Sequence, residues 1–398
     1  MITKKISELF HIFNGMTSVS KKWQSEGNCQ FIDYLNVFNN LSVDTSKLNY
    51  ATVKSHKQNT LLKGDILFTS ASETIDECGL SSVIEQDIKD GIFLDDHLFG
   101  IRIKAEYRDF LNPSYLKYYF RCGWFRKEIK KSVKGITRFY IKKSLFENLQ
   151  IPIPPIDVQN KIVKILDKFT NYKAELTAEL TLRKEQYKYY RDMLLNNLNG
   201  LECKKISDIF NIKNGYTPSK VKIEYWTNGT IPWFRMDDLR ENGFVLSKSK
   251  QLITTQAVKG KLFEANSIIL ATTATIGVHA LITSDFLCNQ QFTNFSLKEE
   301  YKEKFNIKFL YYYFFIIDEW CVNNTVFSAF PSVQMNKLRA LQIPIPSIEI
   351  QNKIVETLDK FSSLINDISD GLPKEIELRN KQYEYYRDLL LDFKEKND

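Results

Sequence analysis

Nine cations crowd the stretch between Arg121 and Lys143, against one acid, Glu128. They are Arg121, Arg126, Lys127, Lys130, Lys131, Lys134, Arg138, Lys142 and Lys143, with Trp124, Phe125, Phe139 and Tyr140 interleaved. Cations at that density neutralise phosphates and fix a protein's register on a duplex. Gly135-Ile136-Thr137-Arg138 reads as a loop tip, which makes Thr137 and Arg138 candidates for base contact. The second half of the chain has no such run. Its polar candidates are Tyr216, Thr217, Arg235, Arg240, Thr273, Thr275, Gln290 and Gln291, placed in loops or at strand ends. Arginine pairs with guanine edges and glutamine with adenine edges. Trp226 and Trp233 are read as core.

Catalytic chemistry finds little support. Asn112-Pro113-Ser114-Tyr115 has the look of an adenine-methyltransferase motif, yet no glycine-rich turn follows a strand upstream to hold a cofactor. We read it as a helix start. The four histidines (His11, His56, His97, His279) are isolated. The six cysteines form no CxxC pair and no cluster with histidine. No metal site, cofactor or disulfide framework is therefore expected, and a reducing cytoplasm fits. No apolar stretch approaches the ~18–20 residues of a membrane span, and no apolar segment follows Met1-Ile2-Thr3-Lys4-Lys5 to suggest a secretory signal.

The elements that would position these residues come in duplicate. KKISELFHIFNGMT at 4–17 matches KKISDIFNIKNGYT at 204–217. LQIPIPPIDVQNKIVKILDKF at 149–169 matches LQIPIPSIEIQNKIVETLDKF at 341–361, and KEQYKYYRDMLL at 184–195 matches NKQYEYYRDLLL at 380–391. Three matches in one order make two tandem copies, each a long variable segment followed by a short similar one. The expected divisions are 1–150 and 200–342 as variable domains, with 151–199 and 343–398 as the similar segments. Asp65-Ile66-Leu67-Phe68-Thr69 and Ser267-Ile268-Ile269-Leu270-Ala271 read as strands, so each variable segment is a compact mixed domain of many short strands. The variable segments are basic, net +5 over 1–150 and +4 over 197–342, while 343–398 carries −4. A basic excess on particular segments suits a polyanionic partner.

The similar segments read as long helices. Asp157 suits an N-cap, and apolar residues follow at 162, 165, 169, 172, 176, 180, 187, 190 and 194, the spacing of a coiled-coil seam with one stutter. The helix predicted over 157–195 is ~58 Å long at ~1.5 Å per residue. The second should be slightly longer, because Leu358 to Arg379 is 21 residues where Leu166 to Arg183 is 17. Gly371-Leu372-Pro373 could kink it. Pairing the two antiparallel gives each stripe something to bury against. Tyr187, Tyr190 and Arg191, with Tyr383, Tyr386 and Arg387, sit on helices amphipathic all round, so they are candidates for docking further subunits.

These residues together resemble the specificity (S) subunit of type I restriction–modification enzymes. The likeness covers essentially the whole chain. It is carried by the repeated IPIP…QNKIV…LDKF block, by Gly215-Tyr216-Thr217-Pro218 and by Tyr225-Trp226-Thr227-Asn228-Gly229-Thr230-Ile231-Pro232-Trp233. The first domain departs from that pattern, with Gly15-Met16-Thr17-Ser18 and Gly27-Asn28-Cys29-Gln30-Phe31-Ile32 instead. The resemblance implies an α+β chain of two tandem mixed α/β target-recognition domains, separated by two long antiparallel coiled-coil helices in a pseudo-twofold internal repeat. It implies that each domain reads half of a split sequence in double-stranded DNA. The helices would act as a ruler and dock two methyltransferase (M) subunits, with restriction (R) subunits joining for cleavage. Adenine N6 methylation would belong to that assembly, not to this chain. A helical scaffold that binds no DNA, or a degenerate specificity subunit, is the alternative.

Overall fold

The computed structural model describes residues 2–17, 19–24, 26–54, 58–198, 200–326, 331–366 and 371–393. The chain forms two compact units, Met1–Ala178 together with Lys374–Asp398, and Glu179–Pro373. Each unit therefore combines one variable domain with helical segments from both copies of the repeat.

In the first unit an antiparallel sheet runs in the order Phe10–Asn14, Leu98–Ile103, Ile66–Thr69, Ser81–Val83. Alternate residues of a strand point to opposite faces. Ile66 and Phe68 enter one core and Leu67 another, so the strand is buried on both sides and reads as an unbroken apolar run. Phe68 stacks on Phe99 at 5.2 Å and meets Phe120 and Phe146 edge-on at 5.2 and 5.3 Å. A second sheet orders Val19–Gln24, Asn49–Val53, Cys29–Ile32 and Ile92–Leu94, the last pair parallel. In the second unit Phe210–Asn214, Phe292–Leu297, Ser267–Ala271, His279–Ile282 and Val245–Leu246 form the corresponding sheet. There Ile268 and Leu270 face one core while Ile269 and Ala271 face the other.

The repeated motif turns out to be a latch between domain and helix. Gln159 and Gln351 are fully buried. Gln159 Oε1 accepts from Asn112 N at 2.9 Å, and its Nε2 donates to the carbonyls of Phe110 and Pro154. Gln351 repeats this with Asn306 N, Lys304 and Pro346. Asn112 and Asn306 then cap the helices Pro113–Tyr119 and Ile307–Asn323, accepting from Ser114 N and Lys308 N. A helix start is thus what Asn112-Pro113 provides, with Pro113 at the position that needs no N–H. Tyr118 and Tyr312 complete the latch by donating to Asp167 and Asp359.

The first long helix is Ile156–Asn196, 41 residues or about 60 Å. It begins before the expected cap. The Pro155 carbonyl accepts from Val158 N and Gln159 N, and Asp157 sits in the first turn, where a carboxylate complements the helix dipole. The second similar segment is not one longer helix but two, Ile348–Asn366 and Leu372–Leu390. The proline at 373 lies in the first turn of the latter, where its missing N–H is harmless. Residues 367–370 fall outside the described residues.

Of the expected seam, Ile162, Leu176 and Tyr187 are buried and Phe169, Leu180 and Leu194 are partly so. Gln159, Ile162 and Leu166 are buried with the first domain, and Tyr187, Arg191 and Leu195 are buried further on, whereas Ile165 and Tyr172, expected on the stripe, are about 40% exposed. Each part of the helix faces its own domain, and a 3.6-residue period drifts away from a 3.5-residue stripe over this length. In the first unit the helical segments pair antiparallel. Phe169 stacks on Tyr386 at 5.4 Å, and Lys173 donates to Asn380 at 2.6 Å. The second unit makes the same stack with the copies exchanged, Tyr190 on Phe361 at 5.5 Å. Among the described residues no helix is long and apolar enough to cross a membrane.

Candidate nucleic-acid interface

Each domain gathers three loops at one end of its central sheet, and the backbone bonds that hold them are the same in both. In the second unit Gly215 N donates to Phe292 O, Tyr216 N to Cys288 O, and Thr272 N to Gln291 O, while Gln291 N donates to Asn289 Oδ1 at 3.1 Å. In the first, Gly15 N donates to Leu98 O, Met16 N to Leu94 O, and Ser70 N to His97 O, while His97 N donates to Asp95 Oδ1 at 2.8 Å. A Cβ on Gly15 would lie 1.9 Å from Asp95 O, and one on Gly215 would lie 2.2 Å from Asn289 O. The close approach of loop to turn admits only glycine.

Beside this edge stands a hairpin. In the first unit Val133–Lys134 pairs with Phe139–Ile141, which pairs in turn with Ala71–Ser72. Gly135 has φ +122°, and a Cβ there would sit 2.0 Å from the Arg138 carbonyl. Ile136 at the tip is 91% exposed. Thr137 and Arg138 line a cleft of about 940 Å³, faced by Tyr34, Glu73, Glu77 and His97. The tip expected from sequence is therefore a tip, and it overhangs a groove. The second unit has the same hairpin, Thr325–Val326 with Ser332–Val333. Residues 327–330, between its strands in sequence, lie outside the described residues.

Of the second-domain candidates, Thr217, Thr273, Thr275, Gln290 and Gln291 share this edge. The Thr217 hydroxyl donates to Gln290 at 2.5 Å, and Thr273 bridges to Ser332 across a loop in which Ala274 takes φ +64°. Tyr216 is structural. Its carbonyl accepts from Trp233 Nε1, and its hydroxyl bonds Ala257 O and Lys259 N. Arg235 precedes the helix Met236–Asn242, its guanidinium 5.9 Å from the Trp233 ring and Nη2 3.5 Å from Asp237. Arg240 is exposed on that helix, outside the three loops. Trp233 is buried and packs edge-on against Trp226 at 4.9 Å, as core residues do.

Two members of the basic run are corrected by their surroundings. Arg121 directs Nε to Ser81 O at 2.7 Å and Nη2 to the carbonyls of Val37, Phe38 and Asn40. Arg126 donates to the carbonyls of Gly79, Asp76 and Cys78. These guanidiniums direct most of their donors to loop carbonyls and so pin the loops. Burial pushes Arg121 down to about 10, still charged at neutral pH. Lys127 and Lys134 are exposed. Lys130 pairs with Asp76, and Lys131 with Glu128 at 2.6 Å, both at the surface where water keeps such pairs weak and exchangeable.

Sequence reading missed Asp96 and His97. His97 Nδ1 lies 3.1 Å from Asp95 Oδ1 and 2.8 Å from Asp96 Oδ1. Among the described residues this trio alone gathers three possible metal-ligand atoms, within 4.8 Å, on a turn that the hydrogen bonds above already explain. Its only signal was the register of the repeat, because an isolated histidine announces nothing.

Three of the six candidate docking residues are buried, while Tyr386 is 37% exposed. Tyr187, Tyr383 and Arg191 are 7–8% exposed. Arg191 lies 4.5 Å from the Phe315 ring and pairs with Asp192, while Arg387 lies 5.5 Å from the Tyr383 ring and pairs with Asp388. Tyr190 and Tyr386 are the stacked pair members described above. All six hold helix to domain or helix to helix. Outward-facing apolar residues sit elsewhere, at Leu182, Tyr189 and Met193 (65, 65 and 38% exposed) and at the repeat-related Leu378, Tyr385 and Leu389 (52, 65 and 57%).

Duplicated domains of this build, latched to long helices, define the class of the specificity subunits. The family model described as "Type I restriction modification DNA specificity domain" matches residues 1–183 and 199–378, and the chain belongs to that family. It is 51% identical over 214 residues to the type I restriction enzyme EcoprrI specificity subunit of Escherichia coli, covering 52% of this chain and 53% of that protein. It is 41% identical over 265 residues to the EcoR124I/EcoR124II specificity subunit of the same organism, covering 63% and 65%. The chain thus spans about half to two thirds of the length of these curated relatives. A solved structure titled for complex assembly and conformational transition of the type I R-M system shares the fold, with TM-score 0.65 at 14% identity over 98% of this chain and 97% of that one. The HsdS subunit from Thermoanaerobacter tengcongensis gives 0.51 at 14% identity, over 98% and 96%.

Proposed function

We propose that this chain is the DNA-reading subunit of a type I restriction–modification enzyme. It recognises a bipartite, asymmetric site in double-stranded DNA and carries no catalysis itself. The observation that supports this best is the duplicated edge: one backbone frame, built twice, bearing different side chains. One frame with two side-chain sets reads two different half-sites. In the first domain Thr137 and Arg138 reach base edges from the hairpin tip, and Lys127, Lys130, Lys131 and Lys134 contact phosphates. In the second, Thr217, Thr273, Thr275, Gln290 and Gln291 supply base contacts. Phosphate contacts add affinity and position; base contacts supply sequence.

The partners are two methyltransferase subunits, with restriction subunits completing the enzyme. The docking surface is the exposed stripe 182, 189 and 193 with its repeat at 378, 385 and 389. Two equivalent apolar patches suit two copies of one protein better than two unrelated partners.

The test is co-expression with the host's adenine methyltransferase subunit, followed by mapping of N6-methyladenine. The reading requires one split motif that appears only with this chain. A methylated genome without a split motif would sink it. Tyr189→Glu and Tyr385→Glu should each release one methyltransferase subunit, read as mass by light scattering, while the free chain keeps its unfolding midpoint. Retention of both subunits in the double variant would remove the docking assignment.

A further inference from the structure

The two reading edges can be superposed residue on residue through their own hydrogen bonds. Asp95 corresponds to Asn289, since each side chain accepts from the backbone two residues on. His97 then corresponds to Gln291, since each carbonyl accepts from the loop after the central strand, Ser70 N in one unit and Thr272 N in the other. Asp96 corresponds to Gln290 between them. The frame is kept between copies: an Asx-type acceptor at the first position, the same carbonyl contact at the third, and a glycine packed against the turn. The side chains differ while these contacts stay, from acid, acid and imidazole in one copy to three amides in the other.

From that pattern we infer that Asp96–His97 and Gln290–Gln291 are equivalent specificity-determining pairs, each reading bases of its own half-site. This rests on the proposed DNA-reading function and assigns residues within it. The chemistry at both positions suits base edges. Gln290 is exposed; the Gln291 Oε1 accepts from Asn289 Nδ2 at 3.0 Å and that of Gln290 from the Thr217 hydroxyl, which orients both amides, and an amide that donates and accepts matches adenine in the major groove. The His97 side chain is 53% exposed, and Nδ1 faces the two carboxylates. That leaves Nε2 without a partner among the described residues. The ring lies on the wall of the 940 Å³ cleft that Thr137 and Arg138 also line. Asp96 accepts only, so it favours an exocyclic amino group and repels phosphate.

The test transplants one pair into the other frame. In the complex with its methyltransferase subunits, the double substitution Asp96→Gln/His97→Gln leaves Asp95 and every backbone bond of the turn in place. The expected result is an altered base preference at one or two positions of one half-site, with the other half-site and the spacer unchanged. The reciprocal Gln290→Asp/Gln291→His should alter only the opposite half-site. Unfolding midpoints of the free chains separate misfolding from misreading. If both folded variants methylate the wild-type motif, whether fully or merely more slowly, the pairs are structural and the inference fails. If the wild-type complex itself yields no split motif, the failure belongs to the proposed function.

Discussion

At the residue scale, the fate of the basic run shows why charge counts overstate a binding surface. Arg121 and Lys127 are both cations of the same stretch, but Arg121 is tied to backbone carbonyls while Lys127 is exposed. Arg121→Met would strip four backbone carbonyls of their donors. Leaving several buried acceptors unpaired costs on the order of 2–4 kcal/mol. We expect a clear drop in the urea midpoint, with the salt dependence of DNA binding unchanged in whatever fraction stays folded. Lys127→Ala should do the opposite. Stability should stay within about 0.5 kcal/mol, while the slope of log affinity against log salt falls by about one. An unchanged slope would take Lys127 off the phosphate path. Types and spacing located the hairpin tip and the glutamine pair, because turn chemistry is local. They could not separate the two arginines from the lysines, since what captures Arg121 is a set of carbonyls about 40 and 80 residues away in sequence.

Elements tell a similar story with a different cause. The repeat, the strands at 66 and 267 and the helix start at 112 were all legible, because short apolar runs and Asn-Pro capping act over a few residues. The side of the long helix that would be buried was legible in part. Periodicity defines a stripe, and Ile162, Leu176 and Tyr187 on it are buried, but each part of the helix also turns a face to its own domain, so Arg191 off the stripe is buried while Ile165 and Tyr172 on it are about 40% exposed. The motif's strongest letter, glutamine, also had a role that no pattern announces. Gln351 joins three separate backbone groups from a fully buried position. Gln351→Ala should lower stability by about 3 kcal/mol, from orphaned donors and acceptors. Gln351→Glu should be at least as damaging, because the carboxylate cannot donate to the Lys304 and Pro346 carbonyls and its charge is costly to bury. Urea unfolding of the full chain checks both. If either variant left the midpoint unmoved, the latch would be ornamental.

At the scale of the whole molecule, the long helix is shared. Ile156–Asn196 gives its first part to one compact unit and its second part to the other. Lengthening it between them therefore changes the molecule without touching either reading edge. Seventeen residues separate Leu166 from Arg183, and 21 separate the repeat-related Leu358 from Arg379. Inserting four residues after Ala178 would bring the first copy to the length of the second. Four residues add ~6 Å and turn the helix by about 40° beyond one full turn. That mismatch is close to the stutter that antiparallel helices absorb without losing contact. Duplex DNA advances ~3.4 Å per base pair along a strand. The predicted outcome is a methylation motif with both half-sites intact and a spacer longer by one or two base pairs. The unaltered half-sites are the essential control, because they show that both domains still fold and read. An intact motif with its original spacer would mean that the distance between half-sites is set elsewhere than along this helix. Loss of both half-sites with the chain still folded would mean that the helix transmits more than length.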